Sequence, residues 1–351
     1  MKVVILGDLH IGVKNNSEVM LSHQTKFFES MIEYMKENDI DTIFQLGDIF
    51  DSRRQINIRT IHSLFTNVFD KFQENDITLY SLVGNHDIYL RNSLETHSSG
   101  ILTKGYPNIH IIDTPTTLEF GGKTFSFIPW ICESNYNECM EHIKNDKSNY
   151  CLGHFEIGSF PVVGKILFEG GLGINTFSHY DHVFSGHFHL RSEKKNITYV
   201  GTPYQLMWSD AEANNGFLVL DTESGEYEFV ENEDRIFRYV YFDSADATDL
   251  EQLSLEDRYV KLIVNDKSDT KKFNEFVDTV MAMMPTDLKI IDQEMIELKE
   301  METPQTIEVS DTLDLIYQYI DNTDISNKED VKKYMVMLYN EAMTQGAVWV
   351  K

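Results

Sequence analysis

Positive charge is scarce in this chain: its 351 residues carry 30 Lys+Arg against 57 Asp+Glu, a formal net charge of -27 at pH 7. That balance excludes broad adhesion to a polyanion over the whole surface. The deficit is uneven, however: residues 1–200 have a net charge of -7 and residues 201–351 one of -20. Cysteine is scarce too. Cys132, Cys139 and Cys151 form no CxxC pair and no even framework, which excludes a disulfide scaffold and leaves reduced thiols as the expectation. No apolar run approaches the ~20 residues needed to span a bilayer. A strand pattern that starts at residue 2 and already carries Asp8 leaves no room for a secretory signal, so a cytoplasmic protein is expected. The 42% of hydrophobic residues is globular in character, and neither internal repeats nor low-complexity tracts are visible.

What is present is a recurring pattern. Five times in the first 190 residues a short apolar run ends in glycine, followed within three residues by a metal-binding side chain. The segments are Val3–His10 (VVILGDLH), Phe44–Asp51 (FQLGDIFD), Ser81–Asp87 (SLVGNHD), Cys151–His154 (CLGH) and Val183–His189 (VFSGHFH). Strands would carry the chain to one sheet edge, where glycines let the backbone turn and carboxylates, an amide and imidazoles converge. Such a mixture of oxygen and nitrogen ligands suits a two-metal hydrolase.

Strand-like and helix-like stretches alternate through the first 100 residues: strands over 1–6, 42–46 and 77–83, helices over 18–38 and 57–73. This βαβ order implies a mostly parallel sheet with helices on its faces. From residue 109 the pattern is β-rich. Short strands over 109–112, 117–120 and 124–129, hinged at Gly121-Gly122, suggest a hairpin and a second sheet, which strands over 198–200, 216–220 and 227–230 would extend. The expected core is therefore a two-sheet αββα sandwich over residues 1–230. A strand–helix–strand unit (258–265, 271–284, 287–292) marks a small separate α/β domain within 231–299. A linker over 300–310 and a tail over 311–351, with amphipathic helices over 311–320 and 328–343, complete the expected organisation.

Phosphoester hydrolysis needs neutralised phosphate oxygens, a water deprotonated near pH 7, and a proton for the leaving alkoxide. Two divalent ions held by a shared carboxylate meet the first two needs. Asp48 lies mid-constellation in the most acidic motif and is the natural bridge. The nitrogen ligands favour Mn²⁺, Fe or Zn over Mg²⁺. His86, beside Asn85, is placed to reach the leaving oxygen as general acid, and Asp87 to orient that imidazole.

The ordered set DxH, GDxxD, GNHD, GH and GHxH resembles the calcineurin-like metallophosphoesterase superfamily. Within it, Asp51 is followed by Ser52-Arg53-Arg54 rather than the Arg-Gly of protein phosphatases. The chain looks instead like the SbcD-type nucleases of double-strand-break repair, including their phage branch. Gly47–Asp51, Val83–Asp87, Ile128-Pro129-Trp130, Ser185–His189 and Gly201-Thr202-Pro203 carry that likeness. The resemblance implies a metallophosphoesterase sandwich with an α/β capping domain and a helical tail. One ion would take Asp8, His10, Asp48 and His189; the other would take Asp48, Asn85, His154 and His187, with His86 catalytic. It further implies two divalent ions, Mn²⁺ first and Mg²⁺ as the alternative. The activity would be exonuclease and single-strand endonuclease action on DNA ends and single-stranded regions. The tail would dock on an SMC-like coiled-coil ATPase, and core helices would form a homodimer, for which residues 57–73 and 94–104 are the candidates.

Other residues admit two readings. Arg53, Arg54, Arg59 and Lys14 contact DNA phosphates, or they are solvated loop charges and helix-start pairs. Tyr89 and Arg91 grip an unpaired end, or serve only the loop. Tyr204 and Trp208 fit aromatic packing, and His23, His62, His97, His110, His142, His179 and His182 have no ligand partners in the pattern. A phosphatase or cyclic-nucleotide phosphodiesterase on the same core is the rival enzyme; a scaffold with a vestigial site is the rival outside enzymes.

Overall fold

Side chains of the first strand alternate between two cores. Val4 and Leu6 of strand Lys2–Leu6 are buried with helix residues such as Phe28, Met31, Val68 and Phe72. Val3 and Ile5 are buried with Phe125, Phe127, Leu152 and Phe184. A strand exposes alternate residues to opposite faces, so apolar residues on both faces require a covering layer on each side. The computed structural model supplies both layers; it describes residues 1–163, 166–292, Lys328, Val331, Lys332 and Met335.

Two six-stranded sheets face each other. The first runs Tyr227–Glu231, Gly216–Asp221, Lys2–Leu6, Thr42–Gln45, Thr78–Leu82, Ile109–Ile112. Its four last-named strands are parallel, and Gly216–Asp221 pairs antiparallel with Lys2–Leu6. The second runs Ser192–Lys194, Ile197–Tyr199, His182–Gly186, Tyr150–His154, Lys123–Ile128, Thr116–Phe120. Helix Glu18–Glu37 covers the outer face of the first sheet together with the helical segment from Ile58 to Glu74. Helix Tyr136–Asn145 covers the outer face of the second through Cys139 and Ile143, packed with Cys151, Val183 and Tyr199. The result is the expected αββα sandwich.

The assignment of strands to sheets corrects the sequence expectation. Ile109–Ile112, Gly216–Asp221 and Tyr227–Glu231 belong to the first sheet, not the second. Propensity and alternation identify a strand but not its neighbour, and here the chain returns after residue 200 to close the far edge of the first sheet. The helix expected over 57–73 is also interrupted. Ile58–Leu64 and Asp70–Glu74 flank a π-type turn, Phe65–Phe69, closed by the Asp70 N–H to the Phe65 carbonyl.

The chain divides into two compact units, Met1–Arg238 with Asp257–Tyr259, and Tyr239–Glu256 with Val260–Lys351. In the second, a three-stranded sheet ordered Phe237–Asp243, Tyr259–Asp266, Asp287–Asp292 carries helix Thr270–Ala282, and Val240, Phe242, Leu262, Val264 and Val280 form its core. The expected linker and tail lie outside the described residues apart from Lys328, Val331, Lys332 and Met335, which are helical. Among the described residues no helix is long and apolar enough to cross a membrane.

Candidate metal centre

Register brings the five motifs together. Leu6 aligns with Gln45 and Gln45 with Ser81, so three chains leave the first sheet at one level. In the second sheet Gly186 lies beside His154. Buried Gln45 ties these ends: its amide N–H donates to the Gly7 and Gly47 carbonyls at 3.1 and 2.5 Å, and its oxygen accepts from Gly47 N–H and Ser81 hydroxyl at 3.1 and 2.5 Å. The turns that follow are conformationally costly. His10, Asp48 and His187 all have positive φ (44°, 58° and 87°), a left-handed backbone that non-glycine residues adopt rarely. Gly84 is required for another reason: a Cβ there would lie 2.2 Å from Asp48 Oδ1 and 2.3 Å from Asp48 N.

Asp48 sits at the focus. Its Oδ2 is 3.8 Å from His10 Nε2 and 3.3 Å from His154 Nε2, while its Oδ1 accepts the His86 backbone N–H at 2.6 Å. On the His10 side, His10 Nε2 and His189 Nε2 are 3.0 Å apart, and Asp8 Oδ2 is 3.7 Å from His189 Nε2. On the His154 side, Asn85 Oδ1 is 2.8 Å from His154 Nε2 and 2.9 Å from His187 Nδ1. Asp8, His10, Asp48 and His154 are buried to about the last per cent of their surface. All seven residues expected to hold metal are therefore brought together. Asp8, His10 and His189 form one close ligand group, Asp8, Asp48 and His154 another, and His10, Asp51 and His86 a third.

The donor chemistry calls for cations. The Nδ1–H of His154 donates to the Leu46 carbonyl at 2.7 Å, so a neutral ring turns a bare Nε2 towards the oxygens of Asn85 and Asp48. Lone pairs facing lone pairs in a buried site repel unless a proton or a metal ion lies between them. The divalent ions of a two-metal centre fit this set.

Ionisation in the metal-free protein follows the same logic. Burial pushes the His154 imidazole down, but the charges of Asp48 and Asp8 with the hydrogen bonds to Asp48 and Leu46 override it and carry it up to about 9. Burial likewise lowers His10, and the Asp51 hydrogen bond with the charges of Asp48, Asp51 and Asp8 lifts it to about 9. The Asp48 carboxyl is raised by burial, yet the His154, His86 and His10 rings hold it well below its ordinary value. Asp8 is raised, by burial first and by the Asp48 charge, against the pull of His154 and His10. His86 falls to about 4, chiefly through burial and also through His10, despite the Asp48 charge.

Two expectations change. His86 Nδ1–H donates to the Asp51 carbonyl at 2.5 Å, so the neutral ring presents a bare Nε2 and must take up a proton before it can act as an acid. Asp87 does not orient that ring. Its carboxylate accepts backbone N–H groups of Gly84 at 2.9 Å, Asp48 at 3.0 Å and Ile49 at 3.1 Å, clamping the turn that presents Asp48. A short side chain one residue beyond His86 reaches back under its own turn more easily than it reaches its neighbour's ring tip.

The basic residues separate into two sets. Arg54 lies over the Tyr89 ring at 5.7 Å, and Arg53 is close enough to Arg91, Arg54 and Asp48 for their charges to act on it. Arg53 also has a buried guanidinium nitrogen, Nη1, with no hydrogen-bond partner among the described residues. Arg59 instead pairs with Glu18 at 2.6 Å on the surface, and Lys14 lies over the Phe237 and Tyr259 rings at 5.2 and 5.0 Å. Tyr204 is buried with its hydroxyl donating to the Leu9 carbonyl at 2.6 Å, and Trp208 packs on Phe237. Sequence reasoning passed over two acids. Asp51 Oδ1 stands 3.4 Å from His10 Nδ1, and Glu156 Oε1 stands 3.3 Å from His187 Nε2. Asp51 was signalled by its own motif; Glu156 follows His154 by two residues with no spacing rule to mark it.

A family model described as calcineurin-like phosphoesterase matches residues 1–191. The chain is 35% identical over 351 residues to exonuclease subunit 1 of Enterobacteria phage T4, covering 97% of this chain and 99% of that protein. It is 26% identical over 262 residues to a subunit of the nuclease SbcCD of Staphylococcus epidermidis, covering 64% and 67%. It is 24% identical over 246 residues to the DNA double-strand break repair protein Mre11 of Nanoarchaeum equitans, covering 62% and 66%.

Proposed function

The chain belongs to the calcineurin-like phosphoesterase family, and from that premise we propose that it is the DNA nuclease subunit of a recombination and repair complex. The observation that carries the reading is the placement of one buried carboxylate, Asp48, between two His-containing ligand groups. In the proposed centre Asp8, His10, Asp48 and His189 hold one divalent ion, and Asp48, Asn85, His154 and His187 hold the other. Mn²⁺ suits this nitrogen-rich set better than Mg²⁺. When bound, such ions neutralise phosphate charge and lower the pKa of water so that it can attack at neutral pH.

The chain's own residues do the rest. His86 meets the leaving oxygen; its Nδ1–H on the Asp51 carbonyl fixes the ring so that Nε2 carries the proton exchanged there. Asp87 and Gln45 hold the turns in register, which keeps the ligands from collapsing on one another. Arg53, Arg54, Arg91 and Tyr89 form a basic and aromatic rim beside His86 that fits a phosphate backbone and an unpaired base. Lys14 and Arg59 lie outside this rim and touch DNA only further along its path.

By similarity to the phage, SbcCD and Mre11 proteins, the substrates are DNA ends and single-stranded regions, and the partner is a coiled-coil SMC-like ATPase. Residues 231–299 serve as a capping domain, residues 300–310 as a linker, and residues 311–351 dock on the ATPase. The protein works as a homodimer in the cytoplasm, the host's if it is phage-encoded. Purified protein with Mn²⁺, given linear DNA and bis-p-nitrophenyl phosphate in parallel, tests the reading. Digestion of DNA supports it. Turnover of the small ester alone would move the assignment to a phosphatase or cyclic-nucleotide phosphodiesterase, and inertness on both, with the ATPase present, to a scaffold.

A further inference from the structure

An imidazole has two ring nitrogens, and what occupies the one turned away from a cation decides which lone pair is presented to it. For His154 that partner is the Leu46 carbonyl at 2.7 Å, and for His86 the Asp51 carbonyl at 2.5 Å. Among the described residues His187 has no such carbonyl partner. Its Nδ1 faces Asn85 Oδ1 at 2.9 Å, and its Nε2 faces the carboxylate of Glu156 at 3.3 Å. We propose that Glu156 is a positioning residue: by accepting the Nε2–H of His187 it leaves the Nδ1 lone pair aimed at Asn85, and so sets the affinity of the cation site made by Asp48, Asn85, His154 and His187. The inference rests on the two-cation reading above.

A neutral imidazole has one N–H and one lone pair, and the two tautomers are close in energy until a hydrogen bond separates them. A carboxylate behind the ring supplies that separation and stops the ring turning over. The backbone around Glu156 is fixed independently of its side chain. Tyr199 hydroxyl donates to the Phe155 carbonyl at 2.9 Å and accepts the Ile157 N–H at 3.0 Å. Leu172 N–H donates to the Glu156 carbonyl at 2.7 Å, and Gly171, at φ 66°, lies so close that a Cβ would be 2.2 Å from that oxygen. The side chain contributes nothing to these contacts, so its removal leaves the turn in place. Packing is the competitor for the positioning role: the Trp130, Phe188 and His154 rings lie against His187 with centroids 5.1, 5.1 and 5.2 Å away. If packing alone held the ring, Glu156 would be dispensable.

The test is a Mn²⁺ titration of the full chain followed by electron paramagnetic resonance, with Glu156→Ala and Glu156→Gln beside the wild type and a metal-free thermal melt of each. The glutamine oxygen can accept the same N–H. Loss of an outer partner of this kind typically weakens metal binding about 10–100-fold. The proposal expects two ions in the wild type, one of them weakened by that factor in Glu156→Ala, and near wild-type binding in Glu156→Gln. It is overturned if Glu156→Ala binds both ions as the wild type does, or if Glu156→Gln is as impaired as the alanine variant. A wild type that takes up fewer than two ions would instead overturn the two-cation reading itself. Should the alanine variant lose its cooperative melt, Glu156→Ser takes its place in the same comparison.

Discussion

Metal uptake by this site should expel protons, those of His10 and His154 first. Without metal, carboxylates lift both rings to about 9, Asp51 and Asp48 acting on His10 and Asp48 and Asp8 on His154, so both are charged at pH 7. His86, at about 4, is neutral there. In the proposed centre His10 belongs to one ion and His154 to the other, so filling each ion displaces one proton. Two pH units below its pKa a group is about 99% protonated, and stripping that proton costs about 2.7 kcal/mol, a factor of about 100 in apparent affinity. Apparent Mn²⁺ affinity should therefore rise about tenfold per pH unit for each ion as pH climbs from 6.5 to 8.5. Titration calorimetry at pH 7 in two buffers of different ionisation heat should count about two protons released per chain at saturation. Affinity that ignores pH over this range, with no proton release at pH 7, would refute the reasoning.

The same shifts govern the metal-free fold. His10 and His154 are raised above the unfolded value, so their stabilisation is complete below about pH 6.5 and fades as pH passes through about 9. Thermal melts of the metal-free protein should show this contribution lost at pH 9.5, while a melting temperature independent of pH between 7 and 9.5 would contradict it. Replacing His86 by Ser should retain both ions and lower DNA hydrolysis by about 10²–10⁴-fold, the range for losing a proton-transfer group; cleavage at the normal rate would remove His86 from the reaction. Asp87→Ala leaves four backbone N–H groups without their acceptor and should cost about 1–3 kcal/mol or more in a denaturant melt, with weakened metal binding, whereas an unchanged melt would rule out the clamp. Arg53→Ala should lower DNA cleavage at least about tenfold while sparing bis-p-nitrophenyl phosphate, since only DNA offers a second phosphate; equal loss on both would place Arg53 in the metal chemistry instead.

The candidate centre was legible in the sequence because its residues obey a local rule. A buried strand must be apolar, its exit must turn, and the first side chains beyond the turn must face the sheet edge. Asp8, Asp48, Asn85, His154 and His187 are all marked by that rule. The sandwich was legible for a related reason, since Val3, Ile5, Phe44 and Leu82 on one face and Val4, Leu6, Ile43 and Leu79 on the other leave no face of the first sheet for solvent. Strand order was not legible, because pairing partners far apart in the chain leave no local mark; hence the misplacement of Ile109–Ile112, Gly216–Asp221 and Tyr227–Glu231. The partners behind the ligands were hidden as well. The carbonyls of Leu46 and Asp51 belong to no residue type, Glu156 lies in no motif, and Gln45 stands in the strand part of its motif rather than at a ligand position. Asp87 misled because a carboxylate beside a histidine invites pairing, whereas unsatisfied N–H groups of a tight turn compete for it more effectively.

Elemental analysis of protein dialysed against Mn²⁺ tests the account at its centre, with wild type and Asp48→Asn side by side. The account predicts two ions per wild-type chain and loss of at least one in the variant, because the replaced carboxylate faces both groups of imidazoles. Fewer than two ions in the wild type, or two retained without the Asp48 charge, would contradict it.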